Sequence, residues 1–174
     1  MGQSWSSMRK QLEQENICGA LKGRVQYFVT RYRKSHDQEG RVAILLDGQE
    51  VFKSCYYDWC KTRVQVLDDF PESQMADSTY WKYWDMVHLE TENRGSFEQN
   101  VFYDAFHYYQ NHSIDDCLAS DRAIVRMFAI LDKRTGKRRL HKHFSEVEAQ
   151  PDWLKFFYGL RMDVDGITKT QKGY

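Results

Sequence analysis

The chain has 174 residues, of which 41% are hydrophobic and 15% aromatic, and its 25 basic residues balance its 25 acidic residues. This length is enough for one domain with its own hydrophobic core, and the neutral total argues against a general polyanion binder, since phosphate contacts need an excess of Lys and Arg. A charged fraction of 29%, without an apolar run of about 20 residues, excludes a membrane-spanning chain, and the aromatic content excludes disorder.

The N-terminal third predicts one helix followed by a three-stranded antiparallel meander. Trp5, Met8 and Leu12 repeat at helical spacing, so we expect a helix over residues 4–20 with a serine as its cap. The predicted strands are the apolar and aromatic runs 24–33, 41–46 and 50–56. Asp47-Gly48, between the last two runs, is typical of a two-residue hairpin turn.

Beyond residue 60 the pattern of apolar residues predicts helices. The segments with helical spacing are 73–92, 97–108, 121–134 and a run that begins at Pro151. Ser96 and Gln99 form a capping-box pattern at the start of the second segment. The stripe expected on that helix consists of Phe97, Val101, Ala105 and Tyr108.

Strands and helices are therefore segregated along the chain rather than alternating, which is typical of an α+β fold. We predict a single domain over residues 1–174, with an N-terminal helix, a three-stranded antiparallel β-meander and a mainly helical C-terminal half packed on the sheet. The tail from about residue 166 is expected to be flexible.

The cysteines and the N-terminus indicate a cytoplasmic protein. Cys55 and Cys60 are too far apart for a C-x-x-C pair, and no second pair follows them. Cys18 and Cys55 stand among apolar residues and are expected to behave as small hydrophobic side chains. The first residues have neither a basic region nor an apolar region of a secretory signal.

The neutral total conceals a charge asymmetry along the chain. The net charge is +4 over residues 1–63, −9 over residues 64–119 and +5 over residues 120–174. One explanation is internal pairing, in which acidic helices pack beside basic partners or simply face solvent. The alternative is a surface with two charged regions that recognises a charged partner.

Two basic segments are the candidate binding sites. Six of the eleven residues in segment 133–143 are Lys or Arg, and such a cluster can bind phosphates or an acidic protein. The first predicted strand places arginines beside Tyr27 and Phe28, as in sheets that stack single-stranded nucleic acid. The predicted binding residues are Arg24, Arg31, Arg33, Lys133, Arg134, Lys137, Arg138 and Arg139. The alternatives are a basic turn that pairs with the acidic middle of the chain, and a strand whose aromatic rings belong to the core.

Two other classes of function stay open. A small enzyme could use a pocket formed by Asp104, His107 and His112, and a structural dimerisation module would explain the many aromatic residues. The chain has no nucleophile, nucleotide-binding or metal-binding motif, so we expect no cofactor and no metal and assign no catalytic residue. His141 and His143 would lie on one face if their segment were extended.

Five segments have a distinctive sequence: Ser4-Trp5-Ser6, the run from Leu21 to Tyr27, Thr30-Arg31-Tyr32-Arg33, Asp47-Gly48 and the run from Ile130 to Arg138. Together they resemble a family of small bacterial proteins whose function is uncharacterised. The resemblance covers residues 4–143 and is weakest between 60 and 90. It implies a bacterial, cytosolic, single-domain protein and brings no catalytic residue, cofactor or substrate with it. The leading hypothesis is a non-catalytic binding protein whose basic surface contacts nucleic acid or an acidic protein.

Overall fold

The computed structural model describes residues 3–31, 34, 40–74 and 79–167. The strands are β1 (Val25–Arg31), β2 (Gly40–Leu46) and β3 (Gln49–Cys55). The α-helices are α1 (Trp5–Lys10), α2 (Tyr56–Asp69), α3 (Tyr80–Asn93), α4 (Gln99–Asn111), α5 (Ile114–Leu118), α6 (Ala123–Leu131), α7 (Lys137–His143) and α8 (Asp152–Val164). An N-terminal helix, a three-stranded antiparallel sheet and a mainly helical C-terminal half confirm the predicted α+β class.

The sheet has the order β1-β2-β3, and both pairs of strands are antiparallel. On its core face Ile44 of β2 lies between Tyr27 of β1 and Phe52 of β3. The predicted hairpin between β2 and β3 is confirmed, since Asp47 and Gly48 have φ values of 51° and 80°. Two consecutive positive φ angles define a type I′ turn, which short polar residues and glycine adopt at the lowest cost.

The first helix is shorter than the predicted segment 4–20, because the backbone widens into a π-helical turn over Gln11–Glu15. Ser4 caps α1, as expected, by accepting a hydrogen bond from the Ser7 amide. Glu13 in the π-helical turn accepts a hydrogen bond of 2.7 Å from the Tyr27 amide of the edge strand β1. The N-terminal segment therefore occupies a position on the open edge of the sheet that would otherwise be free to pair with another chain.

Helix α4 begins two residues after the start predicted for it, and its cap is Glu98 rather than Ser96. The Glu98 carboxylate accepts hydrogen bonds from the amides of Asn100 and Val101. Ser96 instead shares a 2.7 Å hydrogen bond with the Thr62 hydroxyl of α2. The buried face of α4 is consequently shifted from the predicted stripe, and it consists of Gln99, Phe102, Ala105, Phe106 and Tyr109.

Helix α6 lies at the centre of the main hydrophobic core, and eight of its nine residues are buried. It is shorter at both ends than the predicted segment 121–134, because Arg122 and Asp132 have extended backbone angles. Helix α8 packs on α6 through Leu154, Phe157, Tyr158 and Met162. Ile167 after α8 is still buried in the core, and the rest of the tail predicted to be flexible lies outside the described residues.

Helices α2 and α3 pair with each other and enclose a small cluster of their own, formed by Val66, Tyr83 and Val87. Helix α3 occupies the second half of the predicted segment 73–92, and Thr79 caps its first turn. No helix within the described ranges is both long and apolar enough to cross a membrane.

Candidate basic binding surface

The connection between α6 and α7 is fixed by a buried carboxylate. Asp132 has 1% of its surface exposed, and it accepts hydrogen bonds from the Tyr109 hydroxyl, from the Arg134 amide at 2.6 Å and from the Arg134 guanidinium at 2.7–3.1 Å. The Arg134 guanidinium also lies 5.5 Å from the centre of the Tyr109 ring. Predicted binding residue Arg134 therefore already has a partner inside the fold.

A second arginine holds the same connection from the opposite side. Arg161 of α8 is 3% exposed and donates to the carbonyls of Ile130, Asp132 and Thr135 at 2.6–2.9 Å. These carbonyls lie at and beyond the C-terminal end of α6, where a cation is favoured by the helix dipole. The connection that leads into α7 is thus anchored by the Asp132–Arg134 ion pair and by hydrogen bonds from the buried Arg161.

Segment 137–143 is a helix and not the extended segment or basic turn considered above. Leu140 and His143 face the core, while Lys137, Arg138 and Lys142 are exposed. Arg138 and Lys142 are four residues apart, so they lie on the same face of the helix. None of these three exposed cations forms an ion pair with another described residue.

The predicted residue Arg139 pairs with Asp115, a carboxylate from the acidic middle of the chain, as one of the alternatives above allowed. Its Nε and Nη2 atoms each donate a 2.7 Å hydrogen bond to Asp115 of α5. The guanidinium lowers the pKa of Asp115 below its usual value through these hydrogen bonds, with a smaller contribution from the charge of Lys142. Arg139 also donates to the backbone carbonyl of Arg134, so the arginines on both sides of Gly136 are in contact.

The α7 cations line an open pocket of about 630 Å³. Its lining residues are Asp115, Gly136, Lys137, Arg138, Arg139 and Lys142. Since Asp115 balances Arg139, three positive charges remain without a described counter-ion. We call this region, defined by Lys137, Arg138, Arg139 and Lys142, the α7 basic surface.

The arginines of β1 do not form one patch. Arg24 makes two hydrogen bonds, of 2.9 and 2.7 Å, to Asp47 in the hairpin turn. Arg31, at the other end of the strand, lies near Tyr103 of α4, where its charge partly offsets the burial that raises the pKa of that phenol. Arg24 lies just before β1 and Arg31 ends it, so the seven positions from one to the other correspond to roughly 20 Å. Arg33 lies outside the described residues, and Lys133 is exposed beside the start of α7.

The two aromatic rings of β1 lie on opposite faces of the sheet and differ in exposure. Tyr27 is 1% exposed and packs against Phe102 and Phe128 in the core. The Phe28 ring lies on the outer face of the sheet, with the Arg9 guanidinium 5.3 Å from its centre. Tyr27 is therefore not available to stack on a base, whereas Phe28 is 41% exposed.

The three side chains proposed for an enzyme pocket, Asp104, His107 and His112, do not form one site. His112 stacks on Tyr108 at a ring distance of 3.7 Å and bonds to the Tyr108 carbonyl. Asp104 lines a pocket between α3 and α4 whose lining includes neither His107 nor His112. No hydrogen bond or ion pair within the described ranges connects Asp104 to either histidine.

The second histidine pair is separated by the helix. His141 is exposed, whereas His143 is buried and bonds to Glu146 at 2.6 Å. The expectation that both rings share one face is wrong, because α7 turns them about 200° apart. No group of three metal-binding side chains occurs within the residues that the structure describes.

Asp115, Asp132 and Arg161 determine how the α7 basic surface is built, and the sequence alone assigned none of them this role. Arg161 could have been noticed, since it lies at helical spacing with the apolar residues Leu154, Phe157 and Tyr158 and must therefore enter the core. The contact between Asp115 and Arg139 has no comparable signal, because the two residues are 24 positions apart in the chain.

Comparison with known proteins identifies the family of this chain. No curated protein and no solved structure gives a significant match. One family model matches residues 4–162, which includes every described helix and strand apart from the last two residues of α8. The resemblance to an uncharacterised family is thereby confirmed, and the chain belongs to the SF0329 protein family.

Proposed function

We propose that this chain is a non-catalytic binding protein whose α7 basic surface contacts an acidic segment of a partner protein. The observation that carries the proposal is the pocket of about 630 Å³ lined by four basic residues of α7. Three of these cations have no described counter-ion, and the fourth, Arg139, already binds a carboxylate in the two-pronged geometry that guanidinium groups prefer.

The arrangement of the β1 rings and arginines favours an acidic protein over single-stranded nucleic acid. Binding of single-stranded nucleic acid usually combines cations with exposed aromatic rings. Tyr27 is buried, Phe28 is the one partly exposed ring of β1 and has the Arg9 guanidinium beside it, and Arg24 precedes the strand that Arg31 ends. We therefore propose nucleic acid as the second candidate partner, bound through phosphate contacts alone.

We also propose a cytoplasmic location and a bacterial origin. All four cysteines are free thiols, which is typical of proteins in a reducing compartment. The bacterial origin rests on the sequence resemblance described above.

The proposal is tested by fluorescence anisotropy with a labelled oligoglutamate peptide and, separately, a labelled oligothymidine. We expect the wild-type protein to bind oligoglutamate more tightly, and the affinity to fall as salt is added. Lys137→Ala and Arg138→Ala should each weaken binding by about threefold to tenfold. Lys61→Ala on α2 removes the same charge from an exposed position and is the matched control.

Equal affinities of the wild type, the Arg138→Ala variant and the control would contradict the proposal. Tighter binding to oligothymidine than to oligoglutamate would favour the second candidate, with a salt slope that reports the number of phosphate contacts.

A further inference from the structure

The exposed aromatic residues are concentrated on one pair of helices. Seven large hydrophobic side chains are exposed among the described residues, and five of them belong to α2, α3 and the residue that ends α2. Those five are Tyr57, Val64, Phe70, Tyr80 and Trp81. Tyr57 and Trp81 each have 73% of their surface exposed. Two of the five, Tyr80 and Trp81, belong to the chain of connected rings described next, and exposed apolar patches mark interaction sites.

The rings form a continuous path across both helices. Trp59 of α2 contacts Tyr56 at a ring distance of 5.7 Å and His88 of α3 at 5.9 Å. The path continues along α3 from His88 to Trp84 at 6.1 Å, to Tyr80 at 6.2 Å and to Trp81 at 5.3 Å. We call these six residues the aromatic face.

The aromatic face is not part of the main core. Residues 56 and 59 are three apart, and residues 80, 84 and 88 are four apart, so each helix presents one row of rings. The inner sides of α2 and α3 bury Val66, Tyr83 and Val87 in their own small cluster. Trp84 packs partly against that cluster, whereas Tyr80, Trp81 and His88 of α3 are exposed to solvent.

Carboxylates adjoin the aromatic face. Trp59 and His88 line a pocket of about 480 Å³. Its acidic lining residues are Asp85, Glu92, Glu98, Asp104 and Asp121, and its one lysine or arginine, Arg122, is paired with Glu92 at 2.9 Å. Residues 64–119 carry a net charge of −9. Like charges disfavour pairing of this face with the same face of a second copy, and they favour a cationic partner.

The chemistry of the aromatic face suits a guanidinium group in particular. An arginine stacks on an aromatic ring and binds carboxylates through two parallel hydrogen bonds. The face already holds one such group, since the Arg63 guanidinium lies 4.5 Å from the centre of the Trp59 ring. We propose that the aromatic face and the adjoining carboxylates bind an arginine-containing basic segment of a partner protein.

This surface is separate from the α7 basic surface, so the two proposals are tested independently. The full chain is titrated with a labelled peptide of alternating arginine and glycine. Binding is measured from the anisotropy of the label and from the quenching of tryptophan fluorescence. We expect saturable binding of this peptide and no binding of the corresponding glutamate peptide. Arg138→Ala on α7 should leave the binding unchanged.

Two variants locate the site. Trp81→Ala and Asp85→Asn, both at exposed positions, should each weaken binding of the arginine peptide by about fivefold. The matched controls are Phe156→Ala and Asp163→Asn on α8, which remove an exposed ring and an exposed charge elsewhere. These controls should bind as the wild type does.

Three results would overturn the proposal. The first is the absence of saturable binding of the arginine peptide. The second is equal affinity of the Trp81→Ala variant and the Phe156→Ala control for that peptide. The third is a wild-type protein that sediments as a dimer and that Trp81→Ala converts to a monomer. The last result would assign the aromatic face to contact between two copies of this chain.

Discussion

Asp115 of α5 and Arg139 of α7 form an ion pair through two parallel hydrogen bonds of 2.7 Å each. The pair does two things. It ties the short helix α5 to α7, and it removes one of the four cations of the α7 basic surface from contact with a partner. Asp115 thus occupies the position in which a carboxylate of the proposed acidic segment would bind.

The first prediction concerns the pH dependence of this pair. Because Arg139 lowers the pKa of Asp115 below 3.8, the ionised carboxylate is favoured in the folded state. Its contribution to stability is complete above pH 3.8 and is lost as the pH falls through the lower, folded value. Asp115→Asn should therefore lower Tm at neutral pH, and the difference from the wild type should shrink as the pH falls below 3.8. A difference that is independent of pH would contradict this interpretation.

The second prediction concerns the buried Asp132. Asp132→Asn should destabilise the protein by about 2–4 kcal/mol, because the Arg134 guanidinium loses its anionic partner and the connection to α7 loses its anchor. Tyr109→Phe removes one hydrogen bond to the same carboxylate and should cost about 1–2 kcal/mol. Chemical denaturation of both variants and of the double variant checks this. Strictly additive losses would show that the two residues do not act through one network.

The third prediction concerns the open edge of the sheet. Glu13→Ala leaves the Tyr27 amide without its hydrogen bond and Arg9 without its carboxylate, so we expect a loss of about 1–3 kcal/mol in the free energy of unfolding. The exposed edge should also increase aggregation. The control is Glu15→Ala, which removes only the ion pair with Lys10 on the surface. Equal stability of the two variants in denaturation would refute the role of Glu13.

The fourth prediction concerns the cysteines. Cys18 and Cys117 are buried, whereas Cys55 and Cys60 are half-buried. Burial raises the pKa of the Cys117 thiol to about 11, so its reactive thiolate is scarce at neutral pH. Iodoacetamide should label Cys60 well before Cys117 in the native protein, as measured by peptide mass mapping. Equal labelling rates would show that Cys117 is accessible.

Local sequence patterns predicted much of the fold. Asp47-Gly48 fixed the hairpin because the turn geometry depends on two adjacent residues only. The predicted ends of the helices were less accurate. At the start of α4, for example, Glu98 is the cap instead of Ser96, because the Ser96 hydroxyl is hydrogen-bonded to Thr62. That choice depends on a tertiary contact, which spacing along the chain does not encode.

The candidate site was likewise predicted only where local sequence determines it. The cluster of cations in segment 133–143 was visible in the composition, and Lys137 and Arg138 do lie exposed on α7. The ion-pair partners of Arg24, Arg134 and Arg139 could not be predicted, because each arginine is neutralised by a carboxylate that only the folded structure identifies. Basic residues in a sequence therefore overstate the positive charge that a partner would meet.

The fifth prediction uses Asp115→Asn to test the central claim, that the α7 basic surface binds an acidic segment. This substitution frees Arg139 and adds one positive charge to the pocket, so the affinity for labelled oligoglutamate should rise by about threefold to tenfold, whereas Arg138→Ala should lower it. A gain of binding cannot result from damage to the fold, which makes anisotropy titration of the Asp115→Asn variant the most direct measurement. Unchanged or weaker binding by this variant at low salt would contradict the account.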